Sequence, residues 1–228
     1  TQGMVYVPLS GLSIEDTWHV AGMRGTGSHT LVAADAFVPH HLALGGSFVP
    51  GVHDAPPPPS EPLDSWPVWS VLALVLIGPA LGMTEAILDA VTKGAHKRGI
   101  SYTGYGRQID SAVVLHELAT ASLELETAKL LAFRCAAEID ATGEGRAMDL
   151  LARARLRGAC GYLTSILRAA AERLASIAGA SAFAEASPVQ RHFRDLHVAT
   201  RHAFLATLPS LETYGRALVG GEPTFEFV

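Results

Sequence analysis

SPVQRHFRDLHVATRHAFLATLPSLETYGRAL, residues 187–218, opens on a Ser-Pro pair and ends just before Gly220-Gly221. A serine ahead of proline is a helix start, because its hydroxyl can accept a first-turn N–H and proline's missing N–H costs nothing there. The glycine pair is the matching stop. Between them Asp195, Val198, Ala199, His202, Leu205 and Ala206 recur at helical spacing and share one stripe. The pattern predicts a single helix over 187–218, kinked at Pro209. His202 then lies mid-stripe among apolar neighbours. Asp195 is about 10 Å away along such a helix at 1.5 Å per residue, so the two cannot pair. Spacing alone leaves two readings open, a satisfied core histidine and one that faces a ligand.

Working outward, three more helices are expected. One starts at Asp64-Ser65, with Pro67 in its first turn, and runs to Lys97 with a bend at Gly78-Pro79. The others span residues 108–141 and 146–178. Long helices with short connections argue for an antiparallel bundle. Residues 1–50 differ: MVYVPL (4–9) and TLVAADAFVP (30–39) read as strands between Gly-rich turns. Residues 51–63, GVHDAPPPPSEPL, are a Pro-rich linker. The expected architecture is mainly α: a partial β domain over 1–50, a linker over 51–63, and an up-down four-helix bundle over 64–228.

With a net charge of −5 and no Lys/Arg block, neither nucleic acid nor an anionic membrane is an expected partner. The apolar run Val68–Met83 has 16 residues, short of the ~20 a membrane span needs. It reads as a buried bundle helix. The first residues do not resemble a signal peptide, and Cys135 and Cys160 lie in separate helices without a metal-binding spacing. A cytoplasmic protein with reduced core thiols is expected, without a metal site. His40, His41 and His53 read as surface residues, and no Ser-His-Asp order or HExxH is present.

Three stretches could carry chemistry. In TWHVAGMRGTGSHT (17–30), glycines surround Arg24, Thr26 and Ser28, a set able to hold a phosphate or carbonyl oxygen, or simply a β-turn. In HKRGISYTGYGRQ (96–108), an arginine could clamp a phosphate, or the loop is a solvated basic connection. In GASAFAEASPVQRHFRDLH (179–197), small residues permit close approach of another molecule; a tight interhelical loop is the bland alternative.

Together these stretches resemble the acyl-CoA dehydrogenase superfamily, and within it the flavin-dependent two-component monooxygenases. DTWHVAGMRGTGSHTLVAADAFVP is similar to that branch's passage from the middle β domain toward the helices. GASAFAEASPVQRHFRDLH follows the GGxGY…PV…RD segment at Gly179, Phe183, Pro188-Val189 and Arg194-Asp195. LETYGRALVGGEP (211–223) also resembles the monooxygenase branch.

The resemblance implies an oxygenase that uses reduced FMN or FAD and O₂, through a C4a-hydroperoxide, to hydroxylate an aromatic or other hydrophobic small molecule. A separate flavin reductase and assembly into homodimers or homotetramers are implied with it. Arg98 matches the arginine that reaches a neighbour's flavin phosphate, and Gly179, Ala180 and Ser181 match the loop touching that flavin. Arg24, Thr26 and Ser28 belong to the β-domain signature, and His202 matches the histidine facing the reactive flavin edge. GASA in place of GGxG, and no match to the dehydrogenases' catalytic glutamate, argue against acyl-CoA desaturation. The alternatives within the superfamily are an acyl-CoA dehydrogenase-like oxidoreductase or an amino-sugar N-oxygenase. Outside it stands a non-catalytic oligomerising bundle. The family serine near flavin N5 lies in a region outside these residues, so the resemblance places only part of a flavin site here.

Overall fold

The structure, a computed structural model, describes residues 4–39, 42–44, 66–143 and 148–223. The Pro-rich linker, the Asp64-Ser65 cap, the start of the third helix at Arg146, and His40, His41 and His53 lie outside the described residues. Among the described residues four short strands come first: β1 (Met4–Val5), β2 (Ser13–Glu15), β3 (Thr30–Val32) and β4 (Ala43–Leu44). They pair as two antiparallel ribbons, β1 with β4 and β2 with β3, the latter with Ile14 opposite Leu31. The strand expected through residue 39 stops at Val32.

Among the described residues six α-helices follow: α1 (Val68–Val75), α2 (Ile77–Ala95), α3 (Ala112–Gly143), α4 (Leu150–Ala178), α5 (Pro188–Ala199) and α6 (Thr207–Leu218). They make four rods, two of them broken, and both breaks have the same cause. A proline in a helix removes the bond to the carbonyl four residues back and its ring clashes with that carbonyl. Pro79 therefore ends α1 at Val75 rather than bending a continuous helix at Gly78-Pro79. Pro209 likewise removes the bond to Leu205, where a 3-10 turn over Ala203–Leu205 ends. The expected kink at Pro209 is instead a full break over 200–206, with Pro209 harmless in the first turn of α6.

The core lies along α4, whose Leu156, Cys160, Leu163, Leu167, Ala170, Ala171 and Leu174 are buried against Ile77 and Ile87 of α2 and Ala121, Ala128 and Cys135 of α3. Arg173 of α4 bonds Glu117 and Glu124 of α3 at 2.8 and 3.2 Å, while Arg155 bridges to Glu138. Low numbers on one helix face high numbers on the other, so α3 and α4 are antiparallel. Both cysteines are free and buried, and burial pushes the Cys160 thiol up to about 12, so it holds its proton. Val68–Ala95 is long and apolar enough to cross a membrane by length and composition. However, it is divided at Leu76, and its Ala73, Ile77, Ala80, Ile87 and Val91 are buried in the bundle.

α6 packs closest to α4 because α4 presents two glycines. A Cβ at Gly158 would lie 2.7 Å from Tyr214 Cβ, and one at Gly161 2.6 Å from Ser210 Cβ. Gly161→Ala is expected to destabilise the chain by about 1–3 kcal/mol through overpacking. Gly82→Ala, where an added Cβ meets nothing within 4 Å on an exposed helix face, is expected to stabilise it by about 0.5–1 kcal/mol. Urea midpoints of the two variants should therefore move in opposite directions.

Candidate functional site

The segment between β2 and β3 folds back on itself. The Trp18 indole N–H and the Thr26 hydroxyl both donate to the Met23 carbonyl, at 3.0 and 2.8 Å. His29 Nδ1 accepts the backbone N–H groups of Thr17 and Trp18, each at 3.2 Å. Met23 is held at φ +56°, a left-handed conformation costly for a residue with a Cβ.

That loop is docked on α5 by the Arg-Asp pair. Asp195 Oδ1 accepts the Met23 N–H at 2.5 Å, and Arg194 Nη1 donates to the Ala21 carbonyl at 2.6 Å. Gln190 holds the same guanidinium from behind, at 2.7 Å. Between these bonds Gly22 is buried against α5, where a Cβ would stand 2.3 Å from the Arg194 carbonyl oxygen. The β-turn reading of residues 17–30 thus misses their main property, which is to dock on a helix 170 residues later in the chain.

Docking forms an open-sided cavity of about 710 Å³. Trp18, Met23, Thr26 and Ser28 line it from the loop, Leu76 and Pro79 from the α1–α2 break, and Phe193, His197 and Val198 from α5. Arg201 and His202 border it from the segment after α5. The wall is mostly apolar, with two imidazoles set into it.

His202 is not on a helix stripe. It is exposed and precedes the 3-10 turn, with φ −55° and ψ 145°. Its Nδ1 accepts the Phe204 N–H at 3.2 Å, which leaves the proton of the neutral ring on Nε2. The core-histidine reading fails because the stripe on which it rested ends at Ala199.

Sequence reasoning missed His197. Its ring packs on Phe193 at 4.2 Å between centroids, and Arg201 donates to its Nδ1 at 3.3 Å. Nε2 is buried and makes no hydrogen bond among the described residues. Burial, then the Arg201 and Arg168 cations, pull its pKa below the ordinary 6.5, with Glu172 opposing. An Arg four residues after a His on one helix face was the available signal.

Of the residues singled out from the sequence, Thr26 and Ser28 border the cavity with His202. Arg24 does not: its Nε turns back to the Val20 carbonyl at 2.8 Å. Arg98 and Ser181 form a second group, with Arg98 Nη1 3.3 Å from Ser181 Oγ and both exposed. Gly179, at φ +67° and ψ −166°, makes the turn beside them in a region open essentially to glycine alone. This group stands at the far end of α2 from the cavity. Pro79 and Ala95 are separated by about 24 Å of helix axis at 1.5 Å per residue. Along α2 the two groups are set apart, while the turn that carries Ser181 places Phe183 against the cavity residue Phe193, with ring centroids 5.5 Å apart. Among the described residues no group of three or more His, Cys, Asp or Glu is placed to hold a metal ion.

Two outcomes follow from this geometry. Gly22→Ala must lift the loop from α5, so amide exchange at Met23 should accelerate by about tenfold or more, while amides in the α4 core keep their protection. For His197, a depressed folded pKa means the unfolded chain binds the proton more readily. Its contribution is fully present above about pH 6.5 and is lost as pH falls toward the lower folded value. The urea midpoint should drop from pH 7.5 to 5.5, and drop less in His197→Phe. Equal drops would place the acid sensitivity elsewhere.

Residues 74–207 match the family model described as acyl-CoA dehydrogenase, C-terminal domain. The chain is similar to indole-3-acetate monooxygenase of Acinetobacter baumannii, with 29% identity over 96% of this chain and 54% of that protein. It is similar also to the oxygenase component of an FADH(2)-dependent resorcinol hydroxylase of a Rhizobium species, at 30% over 97% of this chain and 56% of that one. Among solved structures, XiaF from a Streptomyces species, in complex with FADH2 and glycerol, superposes with a TM-score of 0.90 at 33% identity. That likeness covers 98% of this chain and 57% of the other. The chain spans about half the length of the curated relatives it matches. Its matched residues cover more than half of its own length, and they include α2, α3, α4 and α5. The chain belongs to the acyl-CoA dehydrogenase family, as a C-terminal helical domain of that fold.

Proposed function

We propose that this chain provides the helical part of the oxygenase component of a two-component flavin-dependent monooxygenase that hydroxylates an aromatic or similarly hydrophobic small molecule. The observation that carries the reading is the 710 Å³ apolar cavity between the docked loop and the α5–α6 break, with two imidazoles in its wall. The names of the relatives, an indole-3-acetate monooxygenase and an FADH(2)-dependent resorcinol hydroxylase, support it.

The residues present fit a flavin. Trp18, Met23, Leu76 and Phe193 offer apolar surface to a flat ring system, with Thr26 and Ser28 as polar contacts at its margin. Arg98, Ser181 and the backbone at Gly179 and Ala180 fit a phosphate. Because they stand at the other end of α2, they serve a flavin seated mainly in a neighbouring subunit. Reduced FMN or FAD, when bound, supplies the electrons for O₂ activation. Arg24, which bonds within its own loop, is the weakest member of the set.

His202 has the catalytic role: with Nδ1 accepting the Phe204 N–H, its ring can present the Nε2 proton to an oxygen in the cavity. Trp18, Met23, Leu76 and Phe193 exclude water, which keeps stray proton donors from the reacting atoms. The flavin arrives reduced from a separate reductase. Leu123, Leu130 and Phe133 stand exposed on one stripe of α3 and support self-association through the bundle. The buried, protonated thiols support a cytoplasmic setting.

In the protein that carries this chain, supplied with reduced flavin, O₂, a reductase and a panel of phenols and indoles, His202→Ala should lower hydroxylated product by about 10²-fold or more. Oxygen consumption should continue, with hydrogen peroxide in place of product. Product formation at the unaltered rate would overturn the role of His202. No hydroxylation of any member by the unaltered protein would overturn the class of substrate.

A further inference from the structure

The segment that carries His202 is held from beneath by one buried cation. Arg157 of α4 is 3% exposed. Its Nη2 donates to the Ala203 carbonyl at 2.9 Å and its Nε to Ser210 Oγ at 3.2 Å. Its guanidinium carbon stands 5.0 Å from the centre of the Phe204 ring. Phe204 also meets Trp69, with ring centres 5.9 Å apart, and His202, whose ring centre is 5.6 Å away and whose Nδ1 accepts the Phe204 N–H.

We propose that Arg157 is a positioning residue for His202: by fixing the Ala203 carbonyl and the Phe204 ring, it holds the Phe204 N–H on His202 Nδ1. It thereby keeps the imidazole as the Nε2–H tautomer at the cavity. The 3-10 turn is three residues long and has no long helix to stiffen it. Its peptide planes are therefore set by outside contacts, and Arg157 makes them on both sides of the Ala203–Phe204 link. A planar guanidinium can bond a carbonyl with one edge and lie against an aromatic ring with its face. That explains why α4 places an arginine in its core, where burial works against the cation. Arg157 touches neither cavity nor substrate, and its effect passes through Phe204.

The activity arm of the test rests on the hydroxylase reading; the spectroscopic arm does not. In the chain labelled with ¹⁵N-histidine, the ring nitrogens of His202 are read by NMR at a pH where the imidazole is neutral. The unaltered chain should show the Nε2–H tautomer. In Arg157→Met the signal should move toward a mixture of tautomers, and Arg157→Lys, which retains a cation and a donor for Ala203, should restore it at least in part. If Arg157→Met does not fold, Phe204→Leu removes the same contact and should produce the same mixture. An unchanged tautomer in the folded variants, or a lysine no better than methionine, overturns the proposal.

In the full protein, product yield per flavin oxidised should fall about 10- to 100-fold in Arg157→Met, as a small misplacement of a reacting group costs. In a His202→Ala background the same substitution should cost less than about twofold, since the two act as one unit. Equal losses in both backgrounds would make Arg157 merely structural. Should His202→Ala itself leave hydroxylation intact, the functional reading falls, while the tautomer still decides the role of Arg157.

Discussion

The carbonyl of Leu205 is the group on which the shape of the site turns. Pro209 deprives it of the N–H that a continuous helix would supply, and a buried carbonyl left without a donor costs roughly as much as a lost hydrogen bond. α4 sets Thr164 beside it: the hydroxyl shares its proton between the Gly161 carbonyl at 2.8 Å and the Leu205 oxygen at 3.3 Å, with Thr207 Oγ1 3.1 Å away. Arg168 does the same for the Thr200 carbonyl at 3.3 Å, and Arg157 for Ala203 at 2.9 Å. Positions 157, 164 and 168 fall on one face of a helix, so a single stripe of α4 reaches three carbonyls of the break. Only a satisfied break can be a stable feature. It turns the chain outward between α5 and α6, and His202 stands at that turn.

A second constraint closes the cavity from the other side. The loop after β2 has almost no core of its own, and two-stranded ribbons are marginal alone. It owes its place to Asp195 and Arg194, which take a backbone N–H and a carbonyl from it, and to Gly22, which lets the two backbones approach. The left-handed Met23 is the expense of that approach. It turns the Met23 N–H toward Asp195 while its carbonyl receives Trp18 and Thr26. Strain, clamp and the Trp18 wall are one arrangement, so a change in any of them is transmitted to the cavity.

The rods were legible in the sequence because their apolar periodicity, caps and stops agree. Pro188 does start α5, although the Ser187 hydroxyl caps no first-turn N–H, and α4 does end at Ala178 before Gly179. The breaks were not, and for a local reason. A proline acts on the carbonyl four residues earlier, so reading the bend at the proline itself misplaces it by a turn. Whether a helix bends or breaks also depends on donors elsewhere, and nothing near Leu205 announces Thr164. The site divides in the same way. His202, Thr26 and Ser28 could be picked out by resemblance, yet the resemblance could not say that Arg24 turns inward. Arg157 and Trp18 meet the site across segments far apart in the chain, which periodicity cannot see, whereas His197 carried a local signal in Phe193 and Arg201, four residues to either side.

The separation of the two candidate flavin groups is also a consequence of the rods. α2 is one straight element from the cavity to the turn before Arg98, and no loop movement can shorten it. Whatever binds at both ends must be long, or must be two molecules, or must meet these groups on different copies of the chain. A flavin's phosphate lies much nearer its ring system than the length of α2 in any but an extended dinucleotide form. The exposed apolar stripe at Leu123, Leu130 and Phe133 offers the third solution a surface.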